Sequence, residues 1–170
     1  NTELYDVHLY EQQKTLGRKL LVAGKGGFNL THGEDISEML TRYSTTFLHP
    51  SLLSFTNTDL TDWLERIGIT TYIGTSNRIF PTKEIKPTDV LQKLVDIIEQ
   101  KNIQLHYNHK WVGYENGNVL IQNNATTTSI EGGFTIYALG GKSWAKTGSD
   151  GIWTSLIPSS INLIPFEASN

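Results

Sequence analysis

A stretch of sixteen residues, 17–32, concentrates four glycines and three cationic side chains. Glycine has no Cβ atom, so the backbone N–H groups of a glycine-rich loop can approach a ligand closely. Arg18, Lys19 and Lys25 add positive charge that suits an anion such as a pyrophosphate. This combination is typical of a nucleotide-binding loop. A flexible glycine-rich turn with solvated cations is the alternative, because a glycine cluster alone is a weak signal.

A second glycine-rich junction follows the apolar run 134–139, which predicts a buried strand. This run leads directly into Gly140 and Gly141, and further glycines, hydroxyl groups and lysines come after them. A helix is predicted at residues 150–157, and its first turn could present backbone N–H groups to a phosphate. An ordinary strand-to-helix connection with a serine or aspartate as the N-cap is the alternative.

Glu11 ends another apolar run, residues 4–11, which also predicts a strand. In dinucleotide-binding α/β folds, an acidic residue at the end of the second strand accepts hydrogen bonds from the hydroxyl groups of the adenosine ribose. Glu11 is therefore a candidate for that role. A solvated carboxylate at the end of a strand is the simpler alternative.

The elements that must position these residues alternate between helices and strands. Pro87 fits the first turn of a helix whose apolar residues recur at helical spacing. Asn116 and Gly117 can adopt the positive φ angles of a tight hairpin turn. The predicted helices cover residues 35–43, 49–55, 57–67, 87–100 and 150–157, and the predicted strands cover residues 4–11, 70–73, 78–81, 103–106, 109–114, 119–122 and 134–139, with short extended pieces at 129–130 and 161–166.

Other chemistries find less support in the residue pattern. The five histidines are separated in the sequence and form no His-x-x-x-His pair, so we predict no metal site. No Gly-x-Ser-x-Gly motif suggests a serine nucleophile. The absence of cysteine excludes a thiolate nucleophile and a disulfide framework. The four tryptophans are expected in the core rather than in a stacking platform.

The net charge and the hydropathy pattern argue against nucleic-acid binding and membrane binding. A net charge of -3 argues against general affinity for nucleic acid or anionic membranes, because such binding requires a basic surplus. No apolar run approaches the length of a membrane span, so we expect a cytoplasmic protein without membrane or nucleic-acid partners. The chain begins at Asn1 with a strand almost at once and ends without an obvious cap, so we expect both ends to be cut from a longer protein.

Five separated motifs, in this order, resemble bacterial NAD(P)/FAD-dependent oxidoreductases of the BaiN-like, aminoacetone-oxidase-like flavoprotein family. The resemblance covers nearly the whole chain. The motifs are residues 17–32, Arg78-Ile79-Phe80-Pro81, Ala138-Leu139-Gly140-Gly141-Lys142-Ser143-Trp144, Gly148-Ser149-Asp150-Gly151 and Pro165-Phe166-Glu167-Ala168-Ser169-Asn170.

The resemblance implies an α/β fold with a Rossmann-like FAD-binding portion of the glutathione-reductase type and an inserted α+β second domain. The family's first strand carries a Gly-x-Gly-x-x-Gly fingerprint that this sequence lacks, so the chain is expected to be a central piece without the first βα unit and the C-terminal segment. The implied layout assigns residues 1–34 to the FAD-binding domain, 35–105 to the helical α+β segment, 106–157 to a β-rich return to the FAD-binding domain, and 158–170 to the start of a link to a further domain.

The resemblance also assigns site residues. Glu11 matches the ribose-binding acid, and Arg18 and Lys19 match the cationic pair beside the FAD phosphates and ribose. The loop beside the flavin, usually Gly-Gly-Gly-Arg-Cys-Asn, reads differently here, so roles of its arginine and cysteine do not carry over. The remaining matches are Gly24, Lys25, Gly26, Gly27 and Asn29 in that loop, Trp111 and Val112 for backbone contacts to adenine, and Ala138, Leu139, Gly140 and Gly141 at the strand end packed against the cofactor.

The implied function is that of an FAD-dependent oxidoreductase acting on a small-molecule substrate, with NAD(P)H as a candidate electron donor. The resemblance assigns no catalytic residue. Lys25 and His32 are candidates for tuning the flavin or moving protons, since a cation near the flavin favours its reduced anion. The alternative is a non-catalytic folded module that does not bind FAD alone. The substrate and the oligomeric state stay open.

Overall fold

The computed structural model describes residues 5–22 and 28–167. The strands are β1 (His8–Glu11), β2 (Thr31–His32), β3 (Thr71–Ile73), β4 (Arg78–Pro81), β5 (Gln104–Tyr107), β6 (Lys110–Glu115), β7 (Asn118–Asn123) and β8 (Thr126–Ile130). The helices are α1 (Arg18–Val22), α2 (Ile36–Leu40), α3 (His49–Ser54), α4 (Asn57–Arg66) and α5 (Pro87–Gln100), and 3-10 turns cover Thr46–Leu48, Ala145–Thr147 and Ile152–Leu156. None of the described helices is long and apolar enough to cross a membrane.

The chain forms two compact units. The terminal unit comprises Asn1–Lys19 and Ile97–Asn170, and the central unit comprises Leu20–Asp96. The boundaries between them fall inside α1 and α5. Each unit has its own strands, and the residues of the candidate site are described below within the unit to which they belong.

The terminal unit contains one parallel strand pair and one antiparallel meander. β1 pairs with β5 in parallel, with Glu11 opposite Tyr107 at the carboxyl end. β6, β7 and β8 follow as consecutive antiparallel strands. The predicted hairpin between β6 and β7 is confirmed, and Asn116 and Gly117 have the positive φ angles of 51° and 85° that the turn requires. The carboxyl ends of β1 and β5 thus lie at one edge of the parallel pair.

The central unit is built on an apolar core. Leu64, Ile69 and Val90 are buried, and half-buried apolar residues of α4 and α5 pack against them. α4 begins with a capping box in which Thr56 and Asp59 exchange hydrogen bonds, and α5 begins at Pro87 as predicted. A small antiparallel sheet in the order β2-β4-β3 completes this unit.

Several sequence predictions differ from the structure. The run 134–139 forms no strand, and its Phe134 and Ile136 side chains are 87% and 92% exposed. A strand forms only when a neighbour satisfies its backbone groups, and no described residues pair with this run. The predicted helix 150–157 is a 3-10 turn over Ile152–Leu156, the predicted extended piece 161–166 has no regular structure, and α1 was not predicted, since the glycines around it favoured a loop.

Candidate functional site

The carboxyl end of β1 places Glu11 at the edge of the parallel strand pair. The Gln13 N–H donates to Glu11 Oε1 at 2.8 Å, so the chain turns back on the carboxylate directly after the strand. The Glu11 carbonyl accepts the N–H of His109 at 2.9 Å, which extends the contact between the β1 end and the segment after β5. Glu11 is half-buried, and within the described part of the chain its carboxylate is held by a backbone N–H.

The two predicted cations begin α1, seven residues after Glu11, the last residue of β1. Gly17, with a φ of 66°, makes the turn into this helix. Arg18 Nη1 donates to Gln13 Oε1 at 3.4 Å, and Lys19 Nζ donates to Ser143 Oγ at 2.6 Å. Both cations are therefore tied to segments that carry other candidate site residues.

The second glycine-rich junction is held together by its own contacts. The Trp153 indole N–H donates to the Gly140 carbonyl at 2.9 Å. Gly140 has a φ of 72°, and a Cβ atom there would lie 3.3 Å from the hydroxyl of the buried Ser149. Gly148, with a φ of 100°, accepts a hydrogen bond from Gln12 at 3.4 Å through its carbonyl. The junction therefore packs against the turn that follows β1, and only glycine suits two of its positions.

The structure brings one subset of the predicted residues together and leaves others apart. Glu11 and Arg18 are linked through Gln13, and Lys19 is linked through Ser143 to the loop that follows Gly141. Ala138 and Leu139 lead into this loop and have no regular secondary structure. Asn29 belongs to the central unit, where it is exposed and precedes β2. Gly24, Lys25, Gly26 and Gly27 lie outside the described residues.

Trp111 and Val112 lie on β6 of the terminal unit. The Trp111 side chain is buried, and its indole N–H donates to the Gly113 carbonyl at 2.8 Å. Its ring packs against Tyr114 and Tyr137, with centroid distances of 5.4 and 4.9 Å. Burial, followed by the hydrogen bond with Tyr114, raises the pKa of Tyr137 to about 12. The Trp111 indole thus serves packing, whereas Val112 is half-buried.

Two site residues were missed by the sequence analysis. Gln13 contacts the segments of Glu11 and Arg18, and Ser143 accepts a hydrogen bond from Lys19. Ser143 follows the Gly140-Gly141 pair by two positions, so its place beside a candidate phosphate loop was a usable signal. Nothing in the sequence marks Gln13, because its role depends on how the chain turns after β1.

Three histidines of the terminal unit form a cluster on the parallel strand pair. His8 Nδ1 lies 2.9 Å from His106 Nε2 with the rings 6° from parallel, and His8 Nε2 lies 3.2 Å from Asp6 Oδ2. The pattern is satisfied when His8 donates to Asp6 and neutral His106 donates to His8, with hydrogen positions assigned from the partners. Burial, and then the nearby His8 and His109, lower the pKa of His106. Among the described residues no group of three or more metal-ligating side chains is arranged to hold a metal ion.

In the central unit, His32 on β2 contributes to a buried ion-pair group. Glu34 is buried, its Oε1 lies 3.4 Å from His32 Nδ1, and its other carboxylate oxygen accepts a hydrogen bond from Arg42. Asn57 donates to the carbonyls of His32 and Glu34 at 2.7 and 2.8 Å. The described contacts of His32 are therefore structural, because they join β2 to Glu34 and to Asn57 of α4.

A parallel strand pair with an acid at its carboxyl edge, two cations close in sequence and a glycine-rich second loop are compatible with a dinucleotide-binding α/β protein. A family model described as the HI0933-like protein Rossmann domain matches residues 1–164, and the chain belongs to this family. The family is a flavin-binding Rossmann group of oxidoreductase type. The mixed α/β architecture, with its parallel and antiparallel sheets, agrees with the predicted Rossmann-like fold at this level.

The side chains at this edge fit the chemistry of FAD. A half-buried carboxylate at a strand end can accept two ribose hydroxyl groups, and Arg18 and Lys19 can neutralise a diphosphate. The positive-φ glycines at 140 and 148 allow backbone to come close to a neighbouring group. The terminal unit therefore contains an acceptor for the ribose hydroxyl groups and cationic donors for the diphosphate.

Proposed function

We propose that the protein is a flavoprotein oxidoreductase, or a part of one, that binds FAD at the carboxyl edge of the β1–β5 pair. The observation that carries the proposal is the position of Glu11, at the end of a parallel strand and held by the Gln13 N–H at 2.8 Å. A carboxylate fixed in that place is suited to accept the hydroxyl groups of an adenosine ribose. The matched family supports the choice of FAD over other dinucleotides.

Arg18 and Lys19 would hold the diphosphate of the cofactor. Arg18 is half-buried and hydrogen-bonded to Gln13, so its guanidinium is partly ordered before a ligand arrives. Lys19 is exposed, and its contact with Ser143 brings the glycine-rich second loop within reach of the same anion. Charge-assisted hydrogen bonds of this type are stronger than neutral ones, so these two residues would supply much of the affinity.

When bound, the flavin supplies hydride and electron transfer, and the protein orients it and excludes competing reactions. We propose NAD(P)H as the electron donor and a small molecule as the substrate, as in the BaiN-like and aminoacetone-oxidase-like proteins that the sequence resembles. In this proposal the central unit corresponds to the inserted α+β domain. No described side chain carries a reacting group by its geometry, so the catalytic residues are left unassigned.

The exposed run 134–139 bears on how the complete binding domain is built. Its apolar side chains alternate as in a strand, yet Phe134 and Ile136 are almost fully exposed. Burying such side chains is strongly favourable, so the run is suited to pairing with a further strand. We propose that a βα unit outside these 170 residues provides that strand and carries the phosphate-binding fingerprint of the family.

The same observation favours the second candidate function, a folded module that does not bind FAD alone. If residues 134–141 need a neighbouring strand to reach their binding conformation, the contacts of Glu11, Arg18 and Lys19 alone would be too few to hold FAD. The chain would then bind neither FAD nor ADP.

The test is a titration of the purified chain with FAD, followed by flavin absorbance and by thermal stability. Glu11→Gln keeps the size of the side chain and removes its charge, and Glu115→Gln is the matched control at an exposed position of β6. We expect FAD binding that weakens at least fivefold in Glu11→Gln, as expected for a hydrogen bond to a charged group, and is unchanged in Glu115→Gln. Equal affinities in the two variants would contradict the assignment of Glu11, and binding of neither FAD nor ADP would contradict the proposed function.

A further inference from the structure

Gln13 contacts four separate parts of the candidate site. Its N–H donates to Glu11 Oε1 at 2.8 Å, and its side-chain Oε1 accepts from Arg18 Nη1 at 3.4 Å. Its carbonyl accepts the N–H of Asn108, which follows β5, at 3.1 Å. Its amide nitrogen would lie 3.6 Å from a Cβ atom at Gly148, so the side chain borders the second glycine-rich loop. All of these contacts lie within the terminal unit.

These contacts connect the Glu11 carboxylate and the Arg18 guanidinium, which would otherwise be oriented independently of each other. Glutamate and arginine side chains lose much rotational freedom when they are held in one geometry, and this loss opposes ligand binding. Gln13 reduces the side-chain entropy that is lost on binding, because its backbone already orients Glu11 and its side chain already orients Arg18. The backbone itself is anchored by Asn108 on the neighbouring segment. The separation between the carboxylate and the guanidinium is therefore defined by one residue.

We propose that Gln13 is a positioning residue of the nucleotide site, which sets the spacing between the ribose-binding Glu11 and the phosphate-binding Arg18. The inference rests on the proposed function. It extends that function because Gln13 would make the site selective for a ribose that is linked to a diphosphate. Gln13 need not contact the ligand to do so. A nucleotide that presents both groups at the correct spacing gains from Gln13, whereas a ligand that presents only one of them does not.

The test compares Gln13→Met with the wild-type chain, using ADP and FAD as ligands in calorimetric titrations. Methionine keeps the length and the backbone N–H of Gln13 but removes the oxygen that accepts from Arg18. We expect a loss of about fivefold in affinity for both ligands, which corresponds to one hydrogen bond. Gln104→Met is the matched control, since Gln104 is an exposed residue of β5 whose side chain donates to Asp6. Its affinities should stay within twofold of the wild type.

A double-mutant cycle with Arg18→Ala separates positioning from a general structural effect. If Gln13 acts through Arg18, Gln13→Met should cost less than twofold in the Arg18→Ala background. Gln13→Ala is a second variant in case methionine disturbs the turn, and inorganic diphosphate, which lacks the ribose, should discriminate little between the variants. Additive losses in the cycle, or equal effects of Gln13→Met and Gln104→Met, would overturn the inference while the proposed function stands. A wild-type chain that binds neither ADP nor FAD would overturn both.

Discussion

The two units of the chain are stabilised in different ways. The central unit buries Leu64, Ile69 and Val90 in one apolar cluster, and helices with well-defined starts cover it. The terminal unit buries Trp111 and Ile121 in its meander, but its candidate site depends on single hydrogen bonds between loops, and its apolar run 134–139 is largely exposed. The apolar cluster of the central unit is therefore built from residues of that unit, whereas the terminal unit is expected to gain from a ligand or a neighbouring strand.

The largest expected effect is that of Ile69→Ala, which opens a cavity in the core of the central unit. Ile69 is only 1% exposed, and truncation of a buried isoleucine to alanine costs about 3 kcal/mol. Chemical denaturation followed by hydrogen exchange should show this loss at central-unit amides. Ile73→Ala is the control, because Ile73 is 63% exposed and its truncation should cost less than about 0.5 kcal/mol. A similar cost for both variants would contradict the assignment of Ile69 to a well-packed core of the central unit.

The next effect is stabilisation by the cofactor. FAD at a hundredfold excess over its Kd should stabilise the terminal unit by about 2.7 kcal/mol. Hydrogen exchange should slow at the N–H groups of Gln13, Asn108 and His109, which form the backbone contacts of the site. The N–H of Ile69, bonded to the Leu64 carbonyl at 2.8 Å, is the internal control and should be unaffected. Equal protection of both sets would mean that the two units respond to the ligand as one.

The same contrast explains which features the sequence could predict. α4, α5 and the Asn116-Gly117 hairpin follow from local signals: apolar residues at helical spacing, a proline in the first turn and two residues that accept positive φ. The position of Glu11 at the end of a strand also follows from a local signal, the apolar run that it ends. The state of residues 134–139 depends on a pairing partner, and the role of Gln13 depends on how the turn after β1 brings it against Asn108 and Gly148, which are distant in the sequence. Neither could be inferred from composition or spacing.

A smaller effect is expected at the ion-pair group of the central unit. Arg42→Ala removes a charged partner of the buried Glu34 carboxylate. Because the Arg42 side chain is 66% exposed, we expect a cost of about 1 kcal/mol rather than the larger value of a fully buried pair. Thermal denaturation measures it, with exposed Lys83→Ala as the control. A cost at the level of the control would show that His32 and water suffice to compensate the Glu34 charge.

The smallest expected effect is a pH dependence that originates in the histidine cluster of the terminal unit. Burial, His8 and His109 hold the pKa of His106 below its ordinary value of 6.5. Below pH 6.5 the unfolded chain therefore binds more protons than the folded protein, so the free energy of unfolding falls as the pH decreases through that value. Above pH 6.5 His106 is neutral in both states, so its full contribution to the free energy of unfolding is retained.

The groups that face His106 determine how this pH response should look. His8 and Tyr10 on β1 contact its ring, His109 approaches it edge-on, and Asp6 lies at the far end of the hydrogen-bond chain. Protonation of His106 places a second donor beside His8 and a positive charge next to two other imidazoles, so the β1–β5 pairing should weaken before the central unit does. His106→Gln removes the titrating group and should flatten the pH dependence of terminal-unit hydrogen exchange between pH 7 and about pH 5. An unchanged profile in His106→Gln, or an equal pH response at the Ile69 amide, would show that the acid sensitivity does not originate in the histidine cluster.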